Sequence, residues 1–187
     1  MTKPFSIAIH GGAGTIVAEQ MSAELKVELL ADLERSVRAG HQVLIDSGDA
    51  LDAVVAAVQV LEDSEHFNAG KGSVLSHHEI VEMDASVMHG RERQAGSVAG
   101  LRHIRNPVSL ARDVLRDSDH VMLIGEGAEQ FAFERGHFFT EQDYFLTERR
   151  YQQLLSMREK GLYALPESKY HEEKKKGTSP LNTTEPC

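Results

Sequence analysis

The sequence predicts a layered core of strands and helices, α/β or α+β, built as one domain. Three observations carry this. Short β-forming runs alternate with helical patterns from the N-terminus to about residue 133. A length of 187 residues is one domain's worth of chain, at roughly 100–200 residues per domain. The balance of 41% hydrophobic and 26% charged residues is that of an ordinary globular protein.

Taken in order, Phe5-Ser-Ile-Ala-Ile-His10 is a short apolar run that stops at Gly11-Gly12-Ala13-Gly14, the pattern of a buried strand entering a tight loop. From the N-cap candidate Ser22, apolar residues recur at Leu25, Leu29, Leu33, Val37 and Val43-Leu44, then stop at Asp46-Ser47-Gly48; this spacing predicts a helix. Asp49 caps a second helix, apolar on nearly every side from Ala50 to Leu61, which therefore belongs between layers. Phe67-Asn-Ala-Gly-Lys-Gly-Ser73 is a second glycine loop. Glu79 to Met88 has enough β-formers for a strand, Gln94 to Leu101 is small enough for a closely packed one, and the two can pair as a meander. Asn106-Pro107 opens a helix through Leu115, Val121 to Ile124 is a short buried strand, and Gly125 to Phe133 is a further short helix. Thr147 to Lys160 has helical composition. Glu167 to Lys176 is polar and Gly177 to Cys187 lacks periodicity, which predicts a solvated linker and a tail without order.

Twenty Lys+Arg against 29 Asp+Glu leave a net charge of −9 with no long basic run. Phosphate binding needs clustered Lys and Arg, so nucleic acid and anionic membrane are excluded as main partners, and small molecules and proteins remain. A single cysteine, Cys187, excludes an internal disulfide framework and a Cys-rich zinc site. The expected compartment is the cytoplasm: cysteine usage fits a reducing environment, and no stretch approaches the ~18 apolar residues of a membrane-spanning helix.

Several motifs fail on inspection. Gly70-Lys71-Gly72-Ser73 lacks the Ser/Thr directly after Lys and the earlier Gly of a phosphate loop, where Gly72 and His66 stand. Gly12-Ala-Gly14 lacks the third dinucleotide-loop glycine, replaced by Val17. His77-His78 is not a zinc helix motif, and Ser97 lies outside a nucleophile elbow. What remains is the pair of glycine loops. As structure alone they are turns in which Gly supplies positive φ; as function, such loops let main chain line a pocket or bind a cation through carbonyls.

The residues His10-Gly-Gly-Ala-Gly14, Ala50-Leu-Asp-Ala-Val54, Phe67-Asn-Ala-Gly-Lys-Gly72, Glu82-Met-Asp-Ala-Ser86, Asn106-Pro107, Ile124-Gly-Glu-Gly-Ala128 and Thr147-Glu-Arg149 resemble, in order, the plant-type asparaginases or isoaspartyl (β-aspartyl) peptidases, which are N-terminal-nucleophile hydrolases. The resemblance runs from about Ile7 to Thr178. It implies an α+β fold, the N-terminal half of an αββα sandwich completed by a β chain. It also implies autocleavage between Gly177 and Thr178, in which the Thr178 hydroxyl attacks the Gly177 carbonyl and water hydrolyses the ester. Thr178 would then be an N-terminal nucleophile whose own α-amine serves as base. The implied substrates are L-asparagine and isoaspartyl dipeptides, and the family expectation is a dimer of αβ units. By the same resemblance Asn68 positions the nucleophile, and the main-chain carbonyls of Leu61, Glu62, Ser64, Phe67, Ala69 and Lys71 match a sodium-binding loop. No other cofactor is implied. The bland reading of Asn68, an amide satisfying loop backbone, is compatible with its functional one.

After Thr178 the pattern breaks. The family continues with an apolar strand, whereas this chain reads Ser179-Pro-Leu-Asn-Thr-Thr-Glu-Pro-Cys187, and Pro180 has no N–H for a central ladder. The expectation is a truncated or frame-disrupted precursor: residues 1–160 as the α-chain part, 161–177 as a mobile polar linker, and 178–187 as an out-of-family tail. Without the oxyanion and substrate-gripping groups of the β chain, such a polypeptide alone is expected to be inactive. Two alternatives stand beside it: a glycosylasparaginase-like hydrolase, and a non-catalytic α half that pairs with subunits of family members.

Overall fold

The computed structural model describes residues 4–11 and 21–161. Within them, Ser22 caps α1 (Ala23–Ile45) as predicted, its hydroxyl accepting the Leu25 N–H at 3.1 Å. The helix ends at Asp46-Ser47-Gly48 through two separate devices. Ser47 takes the left-handed conformation at φ +65°, while Gly48 is needed because a Cβ there would lie 2.5 Å from Val43 Cγ1. Asp49 then caps α2 (Ala50–Glu62), accepting the Leu51 N–H at 2.7 Å.

The face that α1 buries is offset from the Leu25/Leu29/Leu33/Val37 stripe. Leu29, Asp32, Ser36 and Gly40 are its buried residues, and the other stripe positions are half-buried. The reason is close approach to α2. The Ser36 hydroxyl donates to the Ala57 carbonyl at 2.7 Å, and a Cβ on Gly40 would come within 2.6 Å of the Ala53 carbonyl oxygen. Small and polar residues, not the largest apolar ones, set that crossing. On its other side α2 packs against β1 (Met83–His89) and α3 (Pro107–Asp117), although Val54 remains exposed, so it is layered on most of its circumference rather than all of it.

β1 pairs antiparallel with β2 (Gln94–Leu101), the predicted meander. The first strand begins later than its composition suggests because residues 76–80 form a tight turn, with Glu79 at φ +63° and the Ser76 N–H bonded to the Ile80 carbonyl at 2.9 Å. In the ladder, Ala99 and Gly100 of β2 stand opposite the single residue Asp84, and Asp84 Oδ1 accepts the Gly100 N–H at 2.8 Å. The aspartate of the Glu82-Met-Asp-Ala-Ser86 motif therefore holds a bulge in which Gly100 adopts φ +66°. β3 (Met122–Ile124) joins β2 in parallel after the α3 crossover, giving the order β1-β2-β3. α4 (Gly125–Glu134) packs on β2 and β3, a one-turn helix α5 (Gln142–Phe145) follows, and α6 (Glu148–Glu159) is capped by Thr147, whose hydroxyl accepts the Arg150 N–H at 3.3 Å. The core lies between the sheet and α2, α3 and α4, around Leu101, Leu110, Val98, Val114 and Phe145. Burying each such side chain stabilises the fold by roughly 1.5–3 kcal/mol. The architecture is mixed α+β.

Two expectations are corrected. Phe5–His10 is not a buried strand: Ile7 packs over Gly40, Phe5 tilts against the His41 ring with centroids 5.4 Å apart, and no strand pairs with the segment among the described residues. A strand needs a neighbour to close its ladder, and the local apolar run cannot provide one. Val121–Ile124 does enter the sheet, but as an exposed edge: Val121, Met122 and Ile124 are more than half exposed, because beyond them no further strand covers β3 among the described residues. No helix of the described residues is long and apolar enough to cross a membrane. The Gly12-Ala13-Gly14 turn, the linker beyond residue 161 and the tail lie outside the described residues.

Candidate active site

The predicted site residues that the structure describes fall in one loop. Leu61 and Glu62 end α2, and Ser64, Phe67, Asn68, Ala69 and Lys71 follow before the chain turns into the 76–80 hairpin. Gly177 and Thr178 lie outside the described residues. Phe67 is buried with Leu29 and Leu61. Gly11 lies directly against it, since a Cβ on Gly11 would come within 2.9 Å of the Phe67 ring and 2.8 Å of Leu33. The two glycine segments singled out in the sequence thus meet.

The loop is bent by glycine. Gly70 and Gly72 adopt φ +53° and +88°, and a Cβ at Gly70 would lie 2.2 Å from the Glu62 carbonyl oxygen. The return is closed by the Lys71 N–H on that same carbonyl at 2.7 Å, and the Leu61 carbonyl accepts the Ser64 N–H at 3.3 Å. The carbonyls of Ser64, Phe67, Ala69 and Lys71 accept no hydrogen bond among the described residues. Oxygen-only donors in a turn too tight for a Cβ suit a hard monovalent or divalent cation and not a soft metal. Gly70→Ala is expected to destabilise the protein by about 1–2 kcal/mol from the left-handed backbone alone, and by more through the clash with the Glu62 carbonyl. A thermal or urea midpoint that does not fall would contradict this geometry.

Asn68 stands exposed at the loop's outer side, with Oδ1 accepting the Val74 N–H at 2.8 Å. An N–H donor can only be met by the oxygen, so this bond fixes which way the carboxamide faces. Its Nδ2 has no partner among the described residues and is available as a donor. The oxygen serves the loop backbone, as the loop-satisfying reading of Asn68 expects, and leaves the amino group without a partner among the described residues.

Around the loop lie groups that sequence reasoning did not single out. Glu62 is buried, its Oε1 accepts the Val108 N–H at 2.9 Å, and its Oε2 has no hydrogen-bond partner among the described residues. Burial outweighs that bond and pushes the Glu62 carboxyl up to about 8. Glu62 thereby satisfies an N–H at the start of α3; Asn106 makes no capping bond and its Nδ2 donates to Asp63 Oδ1 at 3.2 Å. Asp63 also takes Arg105 Nε at 3.0 Å and the Tyr144 hydroxyl at 3.3 Å. On the α1 side Asp32 is buried against Ser64, His66 and Arg35. Burial works against its charge, but the hydrogen bonds from these three outweigh it and hold the carboxyl below the usual aspartate range. A wide cleft of about 750 Å³ between Phe5, the start of α2 and the β1–β2 turn is lined by none of the predicted site residues.

The family model described as asparaginase matches residues 2–183 of this chain, beginning before Ile7 and running past Thr178, the limits that the motifs alone suggest. The chain is 47% identical over 162 residues to the isoaspartyl peptidase of Escherichia coli strain K12, a match that covers 87% of this chain and 50% of the relative. It is 45% identical over 174 residues to the isoaspartyl peptidase of Salmonella typhimurium, covering 92% and 56%, and 47% identical over 147 residues to the plant-type L-asparaginase of Pyrococcus furiosus, covering 79% and 46%. It belongs to the asparaginase family, within the group of isoaspartyl peptidases and plant-type asparaginases. The chain spans about half the length of these relatives.

Proposed function

We propose that this chain is the α-chain portion, together with the cleavage junction, of an amidohydrolase acting on L-asparagine and isoaspartyl dipeptides. The observation that carries the reading is the Asn68 loop: within a chain of this family, a carboxamide locked by Val74 presents an amino group that has no partner among the described residues, beside a turn in which the carbonyls of Ser64, Phe67, Ala69 and Lys71 likewise have none. In the mature enzyme Thr178, freed by cleavage after Gly177, adds through its hydroxyl to the substrate's side-chain amide or β-linked carbonyl. Its α-amine, with a pKa of about 8, takes the hydroxyl proton and delivers it to the departing ammonia or amino acid. Water then hydrolyses the aspartyl ester and restores the hydroxyl. Asn68 donates from Nδ2 to hold the nucleophile. The carbonyls of Leu61, Glu62, Ser64, Phe67, Ala69 and Lys71 would hold a sodium ion, which stiffens the loop.

The second sheet of the sandwich would cover the side of β1–β3 away from the helices, where Asp84, Ser86, Met88 and Met122 stand exposed. That open face supports a β chain and assembly as a dimer of αβ units, and it supports inactivity of the 187-residue polypeptide by itself. It equally suits a non-catalytic α half that pairs with another member's subunits.

The test is incubation of the purified chain, alone and mixed with the C-terminal half of the E. coli relative, with asparagine, an isoaspartyl dipeptide and glycosylated asparagine. Alone, the chain is expected to stay intact at Gly177–Thr178 and to release nothing; turnover that disappears in Thr178→Ala would overturn the inactivity. Mixed, it is expected to hydrolyse the first two substrates. A complex that forms but hydrolyses neither overturns the hydrolase reading in favour of the non-catalytic one, and a preference for the glycosylated substrate moves the reading to a glycosylasparaginase.

A further inference from the structure

We infer that the Asn68 loop is braced from its two flanks by two buried charged side chains, Asp32 of α1 and Arg150 of α6, acting as positioning residues for Asn68. The consequence for hydrolysis rests on the reading of Asn68 given under Proposed function; the brace itself does not.

Upstream of Asn68, the Asp32 carboxylate stands on the buried face of α1, where packing alone would favour an apolar side chain. Its Oδ2 receives both the Ser64 hydroxyl and His66 Nδ1, the latter at 2.9 Å, and the Ser64 oxygen in turn accepts the His66 N–H at 3.2 Å. Two side chains of the 64–66 turn are tied through a single acid, and the His66 N–H closes back on one of them. Downstream, Arg150 is also buried. Its Nε donates to the Gly72 carbonyl at 2.5 Å and its Nη1 to Gln153 Oε1 at 2.9 Å, and no carboxylate lies within ion-pair distance of it among the described residues. The Gly72 N–H is held as well, by the Phe145 carbonyl at 2.9 Å. Gly72 is thus gripped on both its polar groups by α5 and α6, two residues before the Val74 N–H that orients Asn68.

Neither residue is a good choice for stability. A buried guanidinium with no acid within ion-pair distance among the described residues, and a buried carboxylate paired with the exposed Arg35, carry desolvation costs that apolar side chains of similar volume avoid. Burial lowers the pKa of Arg150, the direction expected of a cation kept from water. What both residues accomplish is local. They fix the two ends of an otherwise irregular segment whose own carbonyls are largely unpaired, and so fix where the Asn68 carboxamide points.

The brace and a merely structural role diverge in Asp32→Leu and Arg150→Met, which keep volume and remove charge. In the full 187-residue chain, amide hydrogen exchange read by NMR is expected to accelerate at least tenfold at Val74 and Lys71, while the amides of β2 and α3 keep their protection. Unchanged exchange at Val74 and Lys71 overturns the brace, and so does acceleration shared equally by loop and core. If either variant does not fold, Asp32→Asn and Arg150→Lys are read by the same three outcomes. Repeating the wild-type spectra in sodium chloride and in choline chloride separates the readings. A loop that ignores sodium overturns the cation site, whereas the brace is decided by the Val74 amide in either salt.

Discussion

Gly96→Ala is expected to destabilise the protein by about 3 kcal/mol, at the upper end of what overpacking one methyl usually costs. Gly96 lies in β2 where α3 crosses it. A Cβ there would be 2.2 Å from the Ala111 carbonyl oxygen, 2.5 Å from the Leu115 nitrogen and 2.7 Å from the Leu115 Cβ. The first two are backbone atoms of a helix whose Leu110, Ala111 and Val114 are wholly buried, so they cannot rotate aside and α3 must move as a body. In a strand without such a neighbour the same substitution would gain about 0.5–1 kcal/mol by restricting the unfolded chain, and the sign is therefore set by sterics alone. Gly90→Ala is the control, because a Cβ at Gly90 meets nothing within 4 Å. Urea unfolding should show a lower midpoint at unchanged slope for Gly96→Ala and little change for Gly90→Ala. Equal midpoints for the two variants would mean that α3 does not sit on β2 as closely as described.

How far the fold was legible in the sequence depended on whether the deciding contact is local. Ser22 and Asp49 cap their helices with bonds that span two or three residues, and both ends fall where cap chemistry places them; Thr147, read only as the start of a helical composition, caps its helix in the same way. The small residues of Gln94–Leu101 foretold a closely packed strand, and Gly96 beneath α3 is the physical reason. Phe5–His10 and Val121–Ile124 read alike as buried strands, yet burial of a strand is decided by what lies beside it, which no local pattern encodes. The helix opening at Asn106-Pro107 was legible, but the group that takes its Val108 N–H was not, because Glu62 lies 46 residues before Val108. Around the candidate site, the carbonyl loop and Asn68 were legible through family motifs, and the glycines that bend it through residue type. Asp32 had at most a faint signal, a carboxylate beside the Leu29/Leu33 stripe on the face that also carries Ser36 and Gly40. Arg150 had none, since Thr147–Lys160 reads as an ordinary polar helix and only the fold reveals that one of its arginines points inward.

Glu62 is expected to make the stability of the folded chain fall as pH rises. Its folded-state carboxyl titrates at about 8, against an ordinary value of 4.5, mainly because burial disfavours the charged form. Below pH 4.5 both folded and unfolded chains hold this proton. Between 4.5 and 8 the unfolded chain has released it while the folded chain keeps it, so each pH unit removes about 1.4 kcal/mol. Above 8 both are ionised and the loss levels off, after as much as about 5 kcal/mol in total. That upper figure is large beside the 5–15 kcal/mol that typically holds a domain together. The chain also carries ten histidines and other ionisable groups, so the wild-type slope alone does not isolate one carboxyl. The difference from Glu62→Gln does. Glutamine keeps an oxygen for the Val108 N–H and places a neutral amide where Oε2 has no partner among the described residues, so it mimics the protonated acid at every pH. In sodium-free buffer the two proteins should unfold at similar urea concentrations near pH 5, and the variant should be the more stable by several kcal/mol near pH 9. Parallel curves across that range would show that Glu62 ionises as an ordinary surface carboxylate, and that water reaches the junction of α2, the Asn68 loop and α3.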